Sequence, residues 1–477
     1  MNTLDLALRN LLRNRRRSLA TLLAMVIGLC ATLLFGGYAG NTLYAMETGY
    51  VQLHGHLQLQ RRDHFLYGSG NPAAYGIAHY PRLIEQIRRD PVLAPLLTVV
   101  TPKLQLGGIA GHFSAALSTN VASVGVIAPE QAILREWNDY GAASYTPPMS
   151  LLGTPADSVV IGTGVARKLQ LCQALGVLPY PAPARAATPA SAPAMPADLA
   201  ALSAQEAGPA PAATATANAN TNTNTNTAPT RIEMLAATVQ GAPNVVGLNV
   251  VKAENFGLKE FDDSFTILHL AQAQRLVYGA AEPQVTAIQL QLRHTAQMPA
   301  ARARLQQLLD GEWKSRDLAV VDFQTLAPVY GQTIEFFDSV FGFMATLIGV
   351  IVLFTVGNTM SMAVLERTTE IGTLRAIGQR QSGIRRLFVA EGLLLGLAGA
   401  LLGTLAALGL AALINRSGLT WTPPGYVYAY PLQVRVWGAG AMLAGSAAGL
   451  IAVASLSAWW PARRAARLQI VDALRHA

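Results

Sequence analysis

The chain has 477 residues, of which 51% are hydrophobic and only 13% are charged, and its formal net charge is +8. This composition excludes an ordinary soluble globular protein and favours a membrane protein. The basic excess does not indicate nucleic acid binding, because it is concentrated in short segments beside long apolar stretches.

Four windows contain no Asp, Glu, Lys or Arg, and each can cross a hydrocarbon core of about 30 Å as a helix. They are residues 18–46 (TM1), 339–365 (TM2), 392–415 (TM3) and 436–460 (TM4). The first window is too long for the apolar core of a secretory signal, so we interpret it as a retained span. No Asp, Glu, Lys, Arg or His lies in the middle of a span, which argues against a conventional solute pathway through the bilayer.

The charge distribution predicts the orientation of these spans. Residues 1–17, 366–391 and 461–477 hold five, five and four arginines against one, three and one acidic residues. Residues 47–338 hold 19 basic and 22 acidic side chains. By the positive-inside rule, both termini and the 366–391 loop are cytoplasmic, while residues 47–338 and the short 416–435 loop are external.

Before TM1, residues 1–17 have the pattern of an amphipathic helix lying on the inner membrane surface. Leu4, Leu8, Leu11 and Leu12 recur at helical spacing, and the arginines fall on a different face.

Between TM1 and TM2, residues 47–338 are predicted to form an α+β domain. Residues 55–60 (GHLQLQ) alternate like a half-buried strand, 80–90 have helical spacing and 121–127 resemble a buried strand. Residues 157–171 indicate strand, turn and helix, whereas 265–277 and 286–292 indicate strand, helix and strand. Residues 179–230 are rich in Ala, Pro, Thr and Asn, and this composition predicts a disordered insertion.

The sequence offers no positive case for an enzyme or a bound cofactor. It lacks the G-x-x-x-x-G-K-[ST] pattern that cradles phosphates, and the glycines at Gly162 and Gly164 are interpreted as a tight turn. His54, His56 and His64 form a weak metal-site candidate, for which hydrogen-bonded or exposed histidines are the simpler interpretation. Cys30 lies in TM1 and Cys172 in the external domain, so a disulfide between them is implausible.

Glycine pairs in the spans predict close helix contacts, because small residues let the backbones of two helices approach. These pairs are Gly392 and Gly396, Gly399 and Gly403, and Gly445 and Gly449. Glu391 is predicted to lie at the start of TM3, where the helix dipole favours a carboxylate.

The loop between TM2 and TM3 has the pattern of a short helix. Ile371, Leu374 and Ile377 fall on one side of this helix, charged groups surround them, and Gly378 can end it. From the pattern alone, the segment is either a solvated turn or a surface that docks on another protein.

The same region carries a resemblance to a known family. Residues 366–403, ERTTEIGTLRAIGQRQSGIRRLFVAEGLLLGLAGALLG, resemble the FtsX-type permeases of ABC systems, which include MacB exporters and the lipoprotein-releasing LolC and LolE permeases. Residues 6–28 are similar to the amino-terminal helix and first span of that family, and 461–477 resemble its terminal signature. Residues 159–171 (VVIGTGVARKLQL) resemble its external core domain, whereas 179–230 depart from the pattern.

The resemblance implies a four-span, non-catalytic permease in a bacterial inner membrane. It implies a partner ATPase in two copies, which binds the ATP, and a second permease that is either identical or different. The segment that docks on the ATPase, the coupling helix, would contain Glu370, Ile371, Gly372, Leu374, Arg375, Ile377 and Gly378. The other expected contacts are membrane lipid and a lipoprotein, periplasmic adaptor or chaperone, and no nucleic acid is expected.

The function implied by the resemblance is transmission of ATP-driven motion to the external domain. The strand at 55–60 resembles that of the lipoprotein-releasing branch, so lipoprotein release is the favoured prediction. MacB-like export of peptides or drugs and regulation of a cell-wall hydrolase are the alternatives. An external enzyme anchored by four spans is a further alternative that no residue pattern favours.

Overall fold

The computed structural model describes residues 3–13, 15–68, 70–142, 147–178, 230–422 and 429–469. The predicted disordered insertion at 179–230 and the end of the terminal signature therefore lie almost wholly outside the described residues.

The regular elements follow one another along the chain in this order. They are α1 (Thr3–Arg13), α2 (Arg15–His54), β1 (Leu57–Arg61), α3 (His64–Tyr67), α4 (Tyr80–Arg89), β2 (Leu97–His112), β3 (Leu117–Val126), α5 (Ala128–Glu136), β4 (Ser158–Gly162), α6 (Thr163–Lys168), α7 (Cys172–Leu175), β5 (Arg231–Ala237), β6 (Pro243–Glu254), α8 (Lys259–Asp262), β7 (Phe265–His269), α9 (Leu270–Tyr278), β8 (Ala287–Leu292), α10 (Met298–Asp310), β9 (Leu318–Asp322), α11 (Phe323–Leu326), α12 (Pro328–Glu366), α13 (Thr368–Ala376), α14 (Gln381–Arg416), β10 (Thr420–Trp421), β11 (Tyr430–Pro431) and α15 (Gly440–Ala466).

Four of these helices, α2, α12, α14 and α15, are long and apolar enough to cross a membrane. Helices α2, α12 and α14 contain the first three predicted windows and extend well beyond them, whereas α15 begins at Gly440, four residues after the start of the predicted window 436–460. Helix α2 has 40 residues and α12 has 39, so each is about 60 Å long at the usual rise per residue. That length is about twice the hydrocarbon thickness, so both helices continue out of the apolar layer towards the sheet domain.

The span helices pack into one bundle with a continuous apolar core. Helix α14 packs against α15 and α2, and α12 packs against α15 and α2. Each helix contributes fully buried side chains to the core, among them Met25, Val356, Phe388, Ala454 and Ala458. Small residues on α15 allow α14 to approach closely, as expected where no hydrophobic effect drives the association of helices in lipid.

The region between α2 and α12 forms a domain around a nine-stranded sheet with the order β3-β7-β4-β6-β5-β2-β8-β1-β9. Strand β2 also pairs with β3, so β2, β3, β7, β4, β6 and β5 close into a ring. Strands β8, β1 and β9 continue the sheet from the first half of β2. Pairs β3–β7 and β4–β6 are parallel.

The sheet domain is α+β, as predicted. The predicted strand at 55–60, the helix at 80–90 and the strand, helix, strand order across 265–292 are confirmed. The strand, turn, helix prediction at 157–171 is confirmed by β4 and α6. Added Cβ atoms on Gly162 and Gly164 would approach Asp262 O and Asp263 Oδ1 to about 2 Å, which explains the glycines at this turn.

Candidate functional site

The candidate site lies where α13 joins the ends of the span helices. Helix α13 is separated from α12 by Arg367 alone, and its last turn closes in a Schellman motif. In that motif Gln379 N donates to Leu374 O and Gly378 N donates to Arg375 O, both at 3.0 Å. Gly378 has a φ of +101°, a backbone conformation that favours glycine. The predicted helix end at Gly378 is confirmed.

The predicted docking residues do not share one environment. Ile371 is only 4% exposed and belongs to the core of the span bundle, and Gly372 is also buried. Leu374 and Arg375 are half-buried. The Nη1 atom of Arg375 donates a hydrogen bond to the Leu468 carbonyl. Ile377 follows the helix and is 80% exposed. The apolar side predicted from Ile371, Leu374 and Ile377 is therefore split between the bundle core and the free surface.

The end of α1 and the start of α2 are each bound to this region by an ion pair. Arg13 contacts Glu370 at 2.6 Å and Arg17, at the start of α2, contacts Glu366 at 2.9 Å. All four side chains are more than a third exposed, so each pair contributes little by itself.

A third ion pair lies beneath these two and is buried. Arg367 Nη1 donates to Glu391 Oε1 at 3.0 Å, and both residues are at most 5% exposed. Asn10 Nδ2 donates to the same carboxylate oxygen at 2.7 Å, while the Asn10 carbonyl accepts from Arg367 Nη2 at 3.1 Å. This three-residue network joins α1, the residue between α12 and α13, and α14. We call the region of all three ion pairs the α13 junction.

The helix-dipole interpretation of Glu391 is wrong. Helix α14 begins at Gln381, so Glu391 lies almost three turns into the helix, beyond the reach of the terminal dipole. Its carboxylate is stabilised by the Arg367 guanidinium and the Asn10 amide instead.

Four of the six predicted packing glycines lie at close helix contacts. An added Cβ on Gly392 or Gly396 would meet Ala458 Cβ at 2.6 Å or Ile451 Cα at 3.1 Å on α15. On Gly399 or Gly403 it would meet Met25 Cβ at 3.1 Å or Leu29 Cβ at 3.0 Å on α2. Two successive glycine pairs thus set α14 against two different partners. Gly445 and Gly449 have no described atom within 4 Å of an added Cβ.

At the opposite end of α2 and α12, the helices enter the sheet domain at what we call the domain junction. Glu47 of α2 is 7% exposed and accepts from Tyr140 Oη at 2.8 Å and from Tyr330 Oη at 3.1 Å. Tyr140 stacks on Tyr44 with ring centroids 4.3 Å apart. Arg435, from the chain between α14 and α15, donates to the Tyr140 carbonyl and lies 5.5 Å from the Tyr44 ring centroid.

Burial raises the pKa of the Tyr140 phenol to about 12. The phenol therefore stays protonated at neutral pH and keeps donating to Glu47. Glu47 links a span helix, the sheet domain and α12 through neutral donors.

One face of strands β1, β8 and β2 is polar and yet buried. Gln58, Gln289 and Thr101 lie opposite one another across the three strands, and each is at most 2% exposed. The end of α2 covers part of this face, since Gln289 Nε2 donates to the Leu53 carbonyl at 2.9 Å. Gln58 Nε2 likewise donates to the His54 carbonyl at 2.7 Å.

This polar face contains atoms without partners. Thr101 Oγ1, Gln289 Oε1, Gln291 Oε1 and His64 Nε2 have no hydrogen bond to any described residue. Lys103, on the same face two residues after Thr101, is 4% exposed, and burial lowers its pKa to about 8. The half-buried strand predicted at 55–60 is thus buried on both faces.

The histidines near β1 do not assemble a metal site. Among the described residues, no group of three His, Cys, Asp or Glu side chains could hold a metal ion. His56 Nδ1 accepts from Leu292 N at 3.0 Å and its Nε2 lies 3.2 Å from Thr295 Oγ1, so both ring nitrogens have partners. Burial lowers the pKa of His56 to about 4, so the ring is neutral.

Sequence reasoning missed Arg367, Asn10, Glu47 and Lys103. Arg367 and Glu391 are both charged residues at the edge of an apolar window, and their separation of 24 residues gives no local signal of a pair. Glu47 directly follows TM1, so a carboxylate so close to an apolar window was an available signal for a buried role.

Residues 340–470 match the family model described as FtsX-like permease C-terminal. A segment of the chain is 29% identical over 236 residues to the pyoverdine export ATP-binding/permease protein PvdT of Pseudomonas savastanoi pv. phaseolicola, covering 48% of this chain and 32% of that protein. A second match is 37% identical over 140 residues to the macrolide export ATP-binding/permease protein MacB of Sodalis glossinidius, and it covers 28% of this chain and 19% of that protein. A third match is 34% identical over 143 residues to the ABC transporter permease YtrF of Bacillus subtilis, and it covers 28% of this chain and 30% of that protein. The chain thus spans about a third or less of these relatives, and the resemblance found in the sequence is confirmed.

Proposed function

We propose that this chain, an ABC transporter permease of the FtsX/MacB type, transmits motion from a separate ATPase to its sheet domain. In this proposal the α13 junction faces the cytoplasm of a bacterial cell, the sheet domain faces the periplasm, and both termini are cytoplasmic. Two ATPase subunits bind the ATP, and a second permease completes the complex. Two relatives are named as combined ATP-binding and permease proteins, which supports such a pairing.

The observation that carries this proposal is the continuity of two helices between the junctions. Helix α2 runs unbroken from Arg15, close to the Arg17–Glu366 pair of the α13 junction, to His54 beneath the sheet, and α12 runs from Pro328 back to Glu366. A force applied to α13 therefore reaches the sheet domain along two helices of about 60 Å each. The described span centres hold no Asp, Glu, Lys, Arg or His, which fits transmission better than conduction.

The exposed part of α13 is the surface offered to the ATPase. Ile377 and the turn at Gly378 project from the bundle, whereas Ile371 is held in its core. A segment with one face packed in the bundle and one end exposed to solvent can be pushed without detaching from the spans.

For the cargo we propose two alternatives, a lipoprotein or an exported peptide or drug. Lipoprotein release and MacB-like efflux are both compatible with the fold, and the relatives named as exporters of pyoverdine and macrolides favour neither for this chain. Regulation of a cell-wall hydrolase is the candidate from another class. A photo-crosslinker at exposed Leu178 of the sheet domain should capture a lipoprotein, an adaptor or a hydrolase, and the captured protein decides among them.

The ATPase partner is tested with a photo-crosslinker at Ile377 in cells of the source organism. We expect capture of an ABC ATPase, identified by mass spectrometry, at Ile377 and not at Leu178, which is 81% exposed in the sheet domain. Leu374→Asp or Gly378→Pro should leave membrane insertion intact and abolish permease-stimulated ATP hydrolysis. Wild-type stimulation in both variants, or labelling of a cysteine at Ile377 by a membrane-impermeant reagent from the periplasm, would contradict the proposal.

A further inference from the structure

The joint between α12 and α13 consists of one residue. Helix α12 ends at Glu366, α13 begins at Thr368, and Arg367 between them has φ −109° and ψ 20°. The Arg367 carbonyl accepts from Ile371 N at 2.9 Å and so starts the hydrogen bonding of α13. Neither glycine nor proline is present at this joint. Thr368 Oγ1 bonds only the last turn of α12, through the Val364 and Leu365 carbonyls, whereas the Arg367 side chain reaches other elements.

The Arg367 guanidinium is attached to two other elements at once. One nitrogen reaches Glu391 of α14 and another reaches the Asn10 carbonyl of α1. Asn10 closes the triangle through its own bond to Glu391. The planar fork of arginine can serve two acceptors in different directions, which the single ammonium of lysine does less well.

Burial separates this network from the other two ion pairs of the α13 junction. Arg13–Glu370 and Arg17–Glu366 are exposed to solvent and can open at little cost. The Arg367–Glu391 pair has side chains at most 6% exposed, so opening it would leave two charges with little access to water. The two exposed pairs can therefore break while the joint keeps its geometry.

We propose that Arg367 and Glu391 are the positioning pair that holds the start of α13 against α14 and α1. This role rests on the proposed function. When the ATPase pushes on α13, the pair makes α12 and α14 move together, and the joint at Arg367 does not bend. Asn10 extends the same attachment to α1. Arg367 and Glu391 touch neither nucleotide nor cargo and act only through the direction of α13.

The test is hydrogen exchange of the full chain in lipid nanodiscs, without any ATPase. The key variant is Arg367→Met with Glu391→Met, because replacing both partners of a buried pair with apolar groups leaves no unpaired charge and preserves the fold. We expect amides of residues 370–376 to exchange about tenfold faster or more, while exchange in the sheet domain stays unchanged. The matched control, Arg17→Met with Glu366→Met, removes an exposed pair of the same junction outside the measured segment and should exchange like the wild type.

Three outcomes would overturn the positioning role. They are wild-type protection of residues 370–376 in the double-methionine variant, equal loss of protection in the control, and loss of protection spread through the whole chain. Arg367→Lys, which keeps the charge, should restore part of the protection that the double variant loses.

A second measurement uses the ATPase captured at Ile377. The double-methionine variant should still bind that ATPase, because the exposed surface of α13 is unchanged, but should lose stimulation of ATP hydrolysis. Full stimulation would count against the pair as a positioning device. If no ATPase is captured, the proposed function fails, whereas the exchange result still decides whether the pair positions α13.

Discussion

The two junctions at the ends of the long helices are held together by different chemistry. At the α13 junction, three arginines pair with three glutamates, and one of these pairs is buried. At the domain junction, the buried Glu47 accepts from two tyrosine hydroxyls, and the neighbouring sheet face is built from amides and hydroxyls. Separating a buried ion pair leaves two charged groups without partners, whereas separating Glu47 from its donors leaves one carboxyl group and two neutral hydroxyls. The α13 junction therefore resists separation more than the domain junction does.

The unpaired acceptors on the polar sheet face sharpen this difference. Gln289 and Gln291 each use the amide nitrogen to bond a main-chain carbonyl and leave the amide oxygen without a described partner. Buried oxygens of this kind are normally satisfied by ordered water. A polar, incompletely paired contact between α2 and the sheet can take up water when the two move apart, which an apolar contact cannot do without a large penalty.

The largest expected effect concerns the α13 junction. Arg367→Met leaves Glu391 buried without its cation, and we expect a loss of about 3–5 kcal/mol of stability, seen as a lower melting temperature in detergent. Adding Glu391→Met should restore most of that stability. A single variant as stable as the double variant would show that the pair is not buried as described, and would remove the contrast between the junctions.

The next effect concerns Lys103 on the polar sheet face. Burial lowers its pKa from 10.5 to about 8, so below pH 8 the charge is present in both folded and unfolded states and its full burial cost applies. Between pH 8 and 10.5 the folded state loses the proton first, and stability rises with pH. Lys103→Met should therefore stabilise the protein by about 3 kcal/mol at pH 7, with a gain that shrinks above pH 8 and disappears beyond 10.5.

This prediction is checked by thermal unfolding from pH 7 to 11, with the exposed Lys252→Met as the control. A Lys103→Met gain that is independent of pH would mean that packing, and not charge, is responsible.

The smallest effect concerns Glu47 at the domain junction. Glu47→Leu leaves the hydroxyls of Tyr140 and Tyr330 without their acceptor, and we expect a loss of about 1–3 kcal/mol in thermal unfolding. Glu47→Gln keeps an acceptor oxygen and should cost less. If Glu47→Leu destabilised the protein as much as Arg367→Met, the two junctions would not differ in the way proposed here.

Local patterns predicted the parts of the fold in which a residue's neighbours along the chain decide its structure. The apolar windows, the α13 helix with its glycine end and the alternation in β1 are of this kind, and the helices and strands formed there. Helix ends were less predictable. Helices α2 and α12 continue through Glu47 and Asp338, because a helix does not end where its apolar pattern ends.

Strands β2, β5 and β6 carry weaker local signals, and the closed ring they enter depends on pairings between distant residues. The hydrogen bond between Ser123 Oγ of β3 and Thr266 Oγ1 of β7, for example, spans 143 residues. Such pairings are decided by which faces can be buried together, a quantity that no single segment contains.

The amino-acid sequence by itself determined that the chain has four segments long and apolar enough to cross a membrane, that an α+β domain lies between the first two, and that a short helix links the second and third. Hydropathy and charge act over a few neighbouring residues, so the printed sequence contains them in full. Only the tertiary structure decided that Arg367 bonds Glu391 and Asn10. It also decided that Ile371 is buried while Ile377 is exposed to solvent, and that Gln58 and Lys103 lie on a buried face of the sheet. Each of these depends on burial, and burial is set by elements hundreds of residues apart.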